Sequence, residues 1–141
     1  MLLVGNFKQK AIIAIILLMM HKEKVYNNIY ALSTLIQEEL INKGIIEAEE
    51  WKIEHQNAGY YSPILDSFIQ GGVSIGKIEV YPKQGTNRLL EKIWLTEDGV
   101  KSYGRIIVEG IQEGYSKKII SVLNAFGIES IEGFAYLLTV K

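Results

Sequence analysis

Apolar positions recur mostly at helical spacing along this chain, and the first such stretch is the most apolar. Ala11–Met20 (AIIAIILLMM) is an uninterrupted apolar run within a helix that we predict from Asn6, as its N-cap, to about His21. Crossing a membrane takes about 20 apolar residues, and the segment from His21 to Tyr26 does not fit the cleavage site of a signal peptide. The run therefore predicts a helix buried at the centre of a core or between subunits.

A second helix is predicted from about Asn28 to Lys43, followed by Gly44 at the usual position of a left-handed cap. Its apolar residues share helical spacing: Ile29, Leu32, Leu35, Ile36, Leu40 and Ile41. Apolar and charged residues then alternate over 51–55, which predicts a short strand there.

A third helix and a hairpin follow. Ser62 is a good N-cap and Pro63 suits the first helical position, so we predict a short helix that Gly71-Gly72 ends. Lys77–Tyr81 and Leu90–Leu95 both alternate and are separated by a polar, turn-rich loop. This pattern predicts a β-hairpin with a long tip.

Three more helices are predicted after the hairpin. Thr96 caps the first, which runs to about Glu113 before Gly114. Ser116 caps the next, which Gly127 ends, and a last helix covers 129–140. Helices that frame one late hairpin predict an α+β fold, and 141 residues fit a single domain, 1–141.

Two segments resemble a known family. Ile93–Gly99 (IWLTEDG) resembles the Tyr-x-Leu-Thr-x-x-Gly signature that ends the wing strand in many winged-helix regulators. Trp51–Pro63 (WKIEHQNAGYYSP) is similar to a strand–Tyr-Gly-Pro-Tyr-Ser–helix segment of uncharacterised YwgA-like prokaryotic proteins and their Panacea-type antitoxin relatives, although here the proline follows the serine. The resemblance implies a winged helix-turn-helix core over about 28–113, with extra helices at 6–21 and 116–140, and a DNA-binding transcriptional regulator.

Composition removes several classes of function. The chain has no cysteine, which excludes disulfides, cysteine–zinc sites and thiol nucleophiles, and its formal charge of −1 excludes the strongly basic class of nucleic-acid binders. His21 and His55 are the only imidazoles and have no third ligand at a recognisable spacing. The glycine-rich segment 71–76 lacks the Gly-Lys-Ser/Thr ending of a phosphate loop. We therefore expect no enzyme, no metal and no cofactor.

The hairpin supplies the candidate DNA contacts. Lys83 and Arg88 flank its polar tip, where cations can meet phosphates or the minor groove. Ser67 and Gln70 on the third helix are the candidate base readers. The candidate set as a whole is Ser67, Gln70, Lys77, Lys83, Gln84, Thr86, Asn87, Arg88 and Lys92.

The third helix itself argues against DNA binding. Its stretch from Ser62 to Gln70 contains no lysine or arginine, and Asp66 would repel the phosphate backbone. Residues 38–66 hold seven acidic residues against Lys43 and Lys52, a net charge of −5. The alternative is therefore a protein–protein interaction module, antitoxin-like or adaptor-like, that uses an acidic face formed by residues 47–66 and binds no DNA.

Apolar helices at both ends of the chain present more apolar surface than one small domain easily covers. A C2 homodimer buries the same stripe twice, so we expect a homodimer. Because the first helix fits neither a membrane span nor a signal peptide, we expect a cytoplasmic protein without membrane association.

Overall fold

The structure, a computed structural model, describes residues 7–82 and 88–128 and confirms the α+β class. A π-helical stretch, Gln37–Ile41, extends α2; a 3-10 turn, Arg88–Leu90, precedes β4; and a second π-helical stretch, Ile111–Tyr115, joins α5 to α6. The helices and strands are α1 (Phe7–Glu23), α2 (Ile29–Ile36), α3 (Ala48–Trp51), β1 (Glu54–Gln56), β2 (Gly59–Tyr61), α4 (Pro63–Ser74), β3 (Ile78–Tyr81), β4 (Lys92–Leu95), α5 (Glu97–Gly110) and α6 (Ser116–Ala125).

The core forms around α1, as the apolar run predicts. Every side chain from Ala11 to Leu18 is at most 2% exposed, because α5, α6 and β4 pack against this helix from different sides. Within 7–82 and 88–128, no helix is long and apolar enough to cross a membrane. Much of the apolar surface that motivates the homodimer is thus covered inside one chain, and the homodimer stays a prediction.

The prediction of a strand over 51–55 is partly wrong. Trp51 ends the short helix α3 with its side chain buried, and Lys52 then takes a left-handed conformation (φ 50°) that turns the chain. The alternation produces a strand only from Glu54, where β1 pairs antiparallel with β2 in the register Glu54↔Tyr61. The alternating segment thus contains a helix end, a left-handed turn and the start of a strand.

Helix α4 begins as predicted but ends later. The Ser62 hydroxyl accepts a hydrogen bond from the Leu65 N–H (3.2 Å) and donates one to the Trp51 carbonyl (2.8 Å). Gly71-Gly72 was predicted to end this helix, which instead continues to Ser74. A Cβ on Gly72 would lie 2.5 Å from the Tyr103 hydroxyl, so this glycine allows close packing inside the helix rather than a break.

The predicted hairpin is confirmed, and it lies beside α4. Strands β3 and β4 pair antiparallel from Ile78↔Leu95 to Tyr81↔Lys92, and β3 packs against α4. The Thr96 hydroxyl caps α5 by accepting from the Gly99 N–H at 3.0 Å. Gly99 itself faces the backbone of residue 77, where a Cβ would clash, so this glycine lets α5 approach the hairpin closely.

The last described helices differ from prediction in one detail. Gly114 takes a positive φ (97°) inside the π-helical stretch, and Gly127 (φ 83°) follows the end of α6. Ser116 is not an N-cap: its backbone is helical (φ −57°, ψ −40°), whereas a cap needs an extended conformation. The predicted helix over 129–140 and the predicted cap Asn6 lie outside the described residues.

Candidate functional site

Five of the nine candidate DNA contacts lie in the described part of the chain, on α4 and at the β3–β4 hairpin. Ser67 and Gln70 lie partly buried on α4. Lys77 immediately precedes β3, Lys92 begins β4, and Arg88 opens the 3-10 turn before β4. The remaining four, Lys83, Gln84, Thr86 and Asn87, lie outside the described residues.

Arg88 forms the centre of a polar cluster, which we define as Tyr61, Asp66, Arg88 and Glu91. Its Nη1 and Nη2 atoms bind the two carboxylate oxygens of Asp66 at 2.9 and 3.0 Å. Its Nε atom donates to Oε1 of Glu91 at 3.3 Å, and the Tyr61 hydroxyl donates to Asp66. The two carboxylates are nearly buried, with side-chain exposures of 12% for Asp66 and 3% for Glu91.

Local structure brings these four side chains together. Tyr61 ends β2 and Asp66 lies in the first turn of α4, where a carboxylate is favoured by the helix dipole. Arg88 and Glu91 are three residues apart, across the 3-10 turn that leads into β4. The polar cluster therefore fastens the end of the hairpin loop to the start of α4.

Charge pairing sets the protonation states in the polar cluster. Burial is the largest single influence on Asp66 and opposes its charge, but hydrogen bonds from Arg88 and Tyr61 together outweigh it, so the Asp66 pKa is lowered from its ordinary value. The hydrogen bond to Asp66 is the main cause that raises the Arg88 pKa. Burial, and then the hydrogen bond to Asp66, raise the pKa of Tyr61 from 10.0 to about 12. One guanidinium thus binds two carboxyl groups, those of Asp66 and Glu91.

The raised pKa of Tyr61 makes stability depend on pH in the alkaline range. Between about pH 10 and 12 the unfolded chain loses the phenol proton while the folded protein keeps it. The free energy of unfolding should therefore fall as the pH rises through this window, and the fall should be smaller in Tyr61→Phe. Urea denaturation at pH 9 to 12 measures both slopes, with Tyr81→Phe as the surface control. Equal slopes in wild type and Tyr61→Phe would contradict the prediction.

The other two described lysines of the candidate set, Lys77 and Lys92, differ in whether they form an ion pair. Lys77 pairs with Asp98, and hydrogen bonding by this lysine is the main cause that lowers the Asp98 pKa. Lys92 is exposed on β4 and makes no ion pair with any described residue. Among the described candidates, Arg88 and Lys77 can contact phosphate only in competition with carboxylates of the same chain. Their DNA contacts, like those of Ser67 and Gln70, stay predictions.

The acidic face, residues 47–66, keeps three of its five carboxylates in solvent. Glu47, Glu49 and Glu54 are exposed and have no cation partner within 7–82 and 88–128. Glu50 instead pairs with Lys8 at 3.2 Å, and Asp66 turns inward to Arg88. The objection that Asp66 repels phosphate is therefore weakened, because its charge is compensated inside the protein.

Residues weighed for catalysis do not converge in the described part of the chain. His55 is exposed and stacks edge-on against Tyr60, with ring centroids 5.1 Å apart. No group of three or more His, Asp or Glu side chains there could hold a metal ion. The glycine-rich segment is helical through Ser74, so its backbone N–H groups do not form a phosphate-binding loop.

Sequence reasoning missed the pairing of Asp66 with Arg88. The two residues are 22 positions apart, so no local spacing relates them. One signal was present: Asp66 lies on the same helical side as buried Leu65 and Ile69, where a carboxylate needs a compensating cation.

Comparison of the chain with protein-family models, with curated proteins and with solved structures finds no match.

Proposed function

We propose that this chain is a protein-interaction module that binds a basic partner protein through the acidic face. The observation that carries the proposal is the contrast between two surfaces. Glu47, Glu49 and Glu54 are exposed and have no cation partner among the residues that the structure describes, whereas Lys77 and Arg88 are engaged by carboxylates of the chain itself. An acidic surface of this kind attracts positively charged partners and repels a phosphate backbone.

The proposed architecture is a winged helix in a cytoplasmic protein. Helices α2 and α4 pack together, and the β3–β4 hairpin follows α4 and lies beside it, which is the order that a winged helix requires. The Leu-Thr-x-x-Gly segment lies at the strand-to-helix junction where the resemblance places it, from Leu95 to Gly99. Resemblance to Panacea-type antitoxin relatives agrees with a role in binding protein.

DNA binding is the second candidate function, and one observation favours it. The hairpin lies beside α4, and Lys92 on its second strand is exposed and without an ion pair among the described residues. In this alternative the hairpin cations meet phosphates while Ser67 and Gln70 face the bases. The two candidates require opposite charge at the surface in use, so they are separable by experiment.

Neutralising the acidic face should abolish partner binding. The test variant is Glu47→Gln/Glu49→Gln/Glu54→Gln, and the matched control is Glu23→Gln/Glu109→Gln/Glu113→Gln, which removes the same charge from other exposed positions. A partner captured by the tagged chain from its native cells is identified, purified and titrated by calorimetry at two salt concentrations. We expect the test variant to bind at least about tenfold more weakly, with a flatter salt dependence, and the control to match wild type. An acidic partner, or equal loss in both variants, would overturn the proposal.

A titration with mixed-sequence duplex DNA tests the second candidate. Fluorescence anisotropy should show no binding at about 50 mM salt if the chain acts through the acidic face. The test variant is Lys83→Ala/Lys92→Ala. Arg88 is left unchanged because its removal would also disrupt the polar cluster. Duplex binding that weakens with salt and is lost in Lys83→Ala/Lys92→Ala would establish DNA binding in place of the protein-interaction role.

A further inference from the structure

The β3–β4 hairpin has one side turned toward the core and one side turned away from it. Successive side chains of a strand point to opposite faces, and residues directly opposite each other in an antiparallel pair share a face. Ile78 and Leu95, which pair, and Ile93 are at most 3% exposed and belong to the core side. We call the other side the outer face; its residues are Glu79, Tyr81, Lys92 and Trp94.

Three aromatic rings lie on the outer face or beside it. Tyr81 is 66% exposed, and Tyr26, between α1 and α2, is 44% exposed and packs against Trp94 with ring centroids 5.8 Å apart. Asn27 fixes Tyr26 beside β4, since its carbonyl accepts a hydrogen bond from the Ile93 N–H at 3.1 Å. Tyrosine and tryptophan are enriched in protein–protein interfaces, and exposed apolar patches mark such sites. The outer face therefore has the composition of a docking surface.

Two charges on the outer face have no ion-pair partner in the described part of the chain. They are Glu79 and Lys92, which are both exposed. The strand register places Lys92 opposite Tyr81 and Glu79 opposite Trp94, so the two charges occupy diagonal corners of the outer face. A partner surface of a single charge would oppose one of them with a like charge. A surface that also carries one cation and one anion can pair both, and a second outer face is such a surface.

We propose that the outer face binds the outer face of a second copy of this chain, in a C2 homodimer. A two-fold axis that runs in the plane of the face from Tyr81 to Trp94 places Lys92 of each copy over Glu79 of the other, so one symmetry operation forms both ion pairs. The same axis brings the aromatic rings of the two copies together and removes them from water. This interface uses no residue of the acidic face, so the proposal goes beyond the proposed function and does not depend on it.

Charge reversal tests the pairing. Lys92→Glu places two glutamates together across the interface and Glu79→Lys places two lysines together, so each should weaken dimerisation at least about tenfold. The double variant Glu79→Lys/Lys92→Glu forms both pairs with reversed sign and should dimerise nearly as tightly as wild type. Lys101→Glu, at an exposed position of α5, is the matched control and should dimerise as wild type does. Sedimentation equilibrium of the full chain over a range of concentrations measures the dissociation constants.

A mass of 15.9 kDa at every concentration, the mass of one chain, would overturn the proposal. A double variant as weak as the two single variants, or a Lys92→Glu variant that dimerises as tightly as Lys101→Glu, would also overturn it. Tyr81→Ser tests the aromatic contribution and should weaken the dimer, whereas Ile75→Ser, at a position of similar exposure (65% against 66%), should not. Equal dissociation constants for these two variants would contradict the use of the outer face. Circular dichroism checks that each variant is folded.

Discussion

Replacing Arg88 by alanine is expected to lower the free energy of unfolding by about 2 kcal/mol. Removing one partner of a buried ion pair costs about 3–5 kcal/mol, and the smaller value follows because the Arg88 side chain is 34% exposed and water screens part of the effect. The loss arises mainly from Asp66 and Glu91, two nearly buried carboxylates that would keep no cation partner among the described residues. Urea denaturation monitored by circular dichroism measures it.

Two further variants separate the charge effect from the loss of a long side chain. Arg105→Ala removes an exposed arginine on α5 and should change stability by no more than about 0.5 kcal/mol. Asp66→Asn combined with Arg88→Ala should be more stable than the two single changes predict by addition, because no charge then remains at position 66. An additive double variant, or a loss in Arg88→Ala no greater than in Arg105→Ala, would show that the pair does not stabilise the fold.

Replacing Ile15 by alanine is expected to cost about 3 kcal/mol, the largest effect of a single truncation that we predict. Ile15 is fully buried on α1, and a deletion of this size in a core costs about 2–5 kcal/mol through lost burial and the cavity that remains. Ile75→Ala is the matched control, since Ile75 is 65% exposed and should lose less than about 0.5 kcal/mol. Thermal and urea denaturation measure both.

This pair of variants also tests where α1 lies. A core helix makes Ile15→Ala strongly destabilising in the isolated chain, at any protein concentration. If Ile15 were instead covered by a second copy, the loss would depend on protein concentration, because dissociation would then precede unfolding. A loss in Ile15→Ala equal to that in Ile75→Ala would contradict the burial of α1.

Much of the fold could be predicted because it depends on local chemistry. Ser62 and Thr96 cap helices whose first N–H groups have no partner within the helix, so a hydroxyl before an apolar run predicts each start. Alternation over 77–81 and 90–95 predicted the hairpin because side chains of a strand point to opposite faces. The length of the apolar run in α1 was enough to favour burial in a core over a membrane span.

Other features of the fold depend on contacts between residues that are distant in the sequence. Gly72 lies within α4 and leaves room for the side chains of Ile78 and Tyr103, and Trp51 ends α3 with its indole buried. Neither neighbour is visible in a local pattern. The prediction of the candidate site was affected most. A lysine or arginine in a polar loop is expected to be available for binding phosphate, but the fold places Asp66 and Glu91 against Arg88.

The starts of α2, α4 and α5, the hairpin and the burial of the first helix could be read from the sequence, because caps, alternation and apolar length act within a few residues. The availability of each charge depends on packing, since Arg88 and Asp66 are 22 positions apart and meet only when α4 and the hairpin pack together. Charges along a chain can be counted from its sequence, but their pairing depends on distances that folding creates.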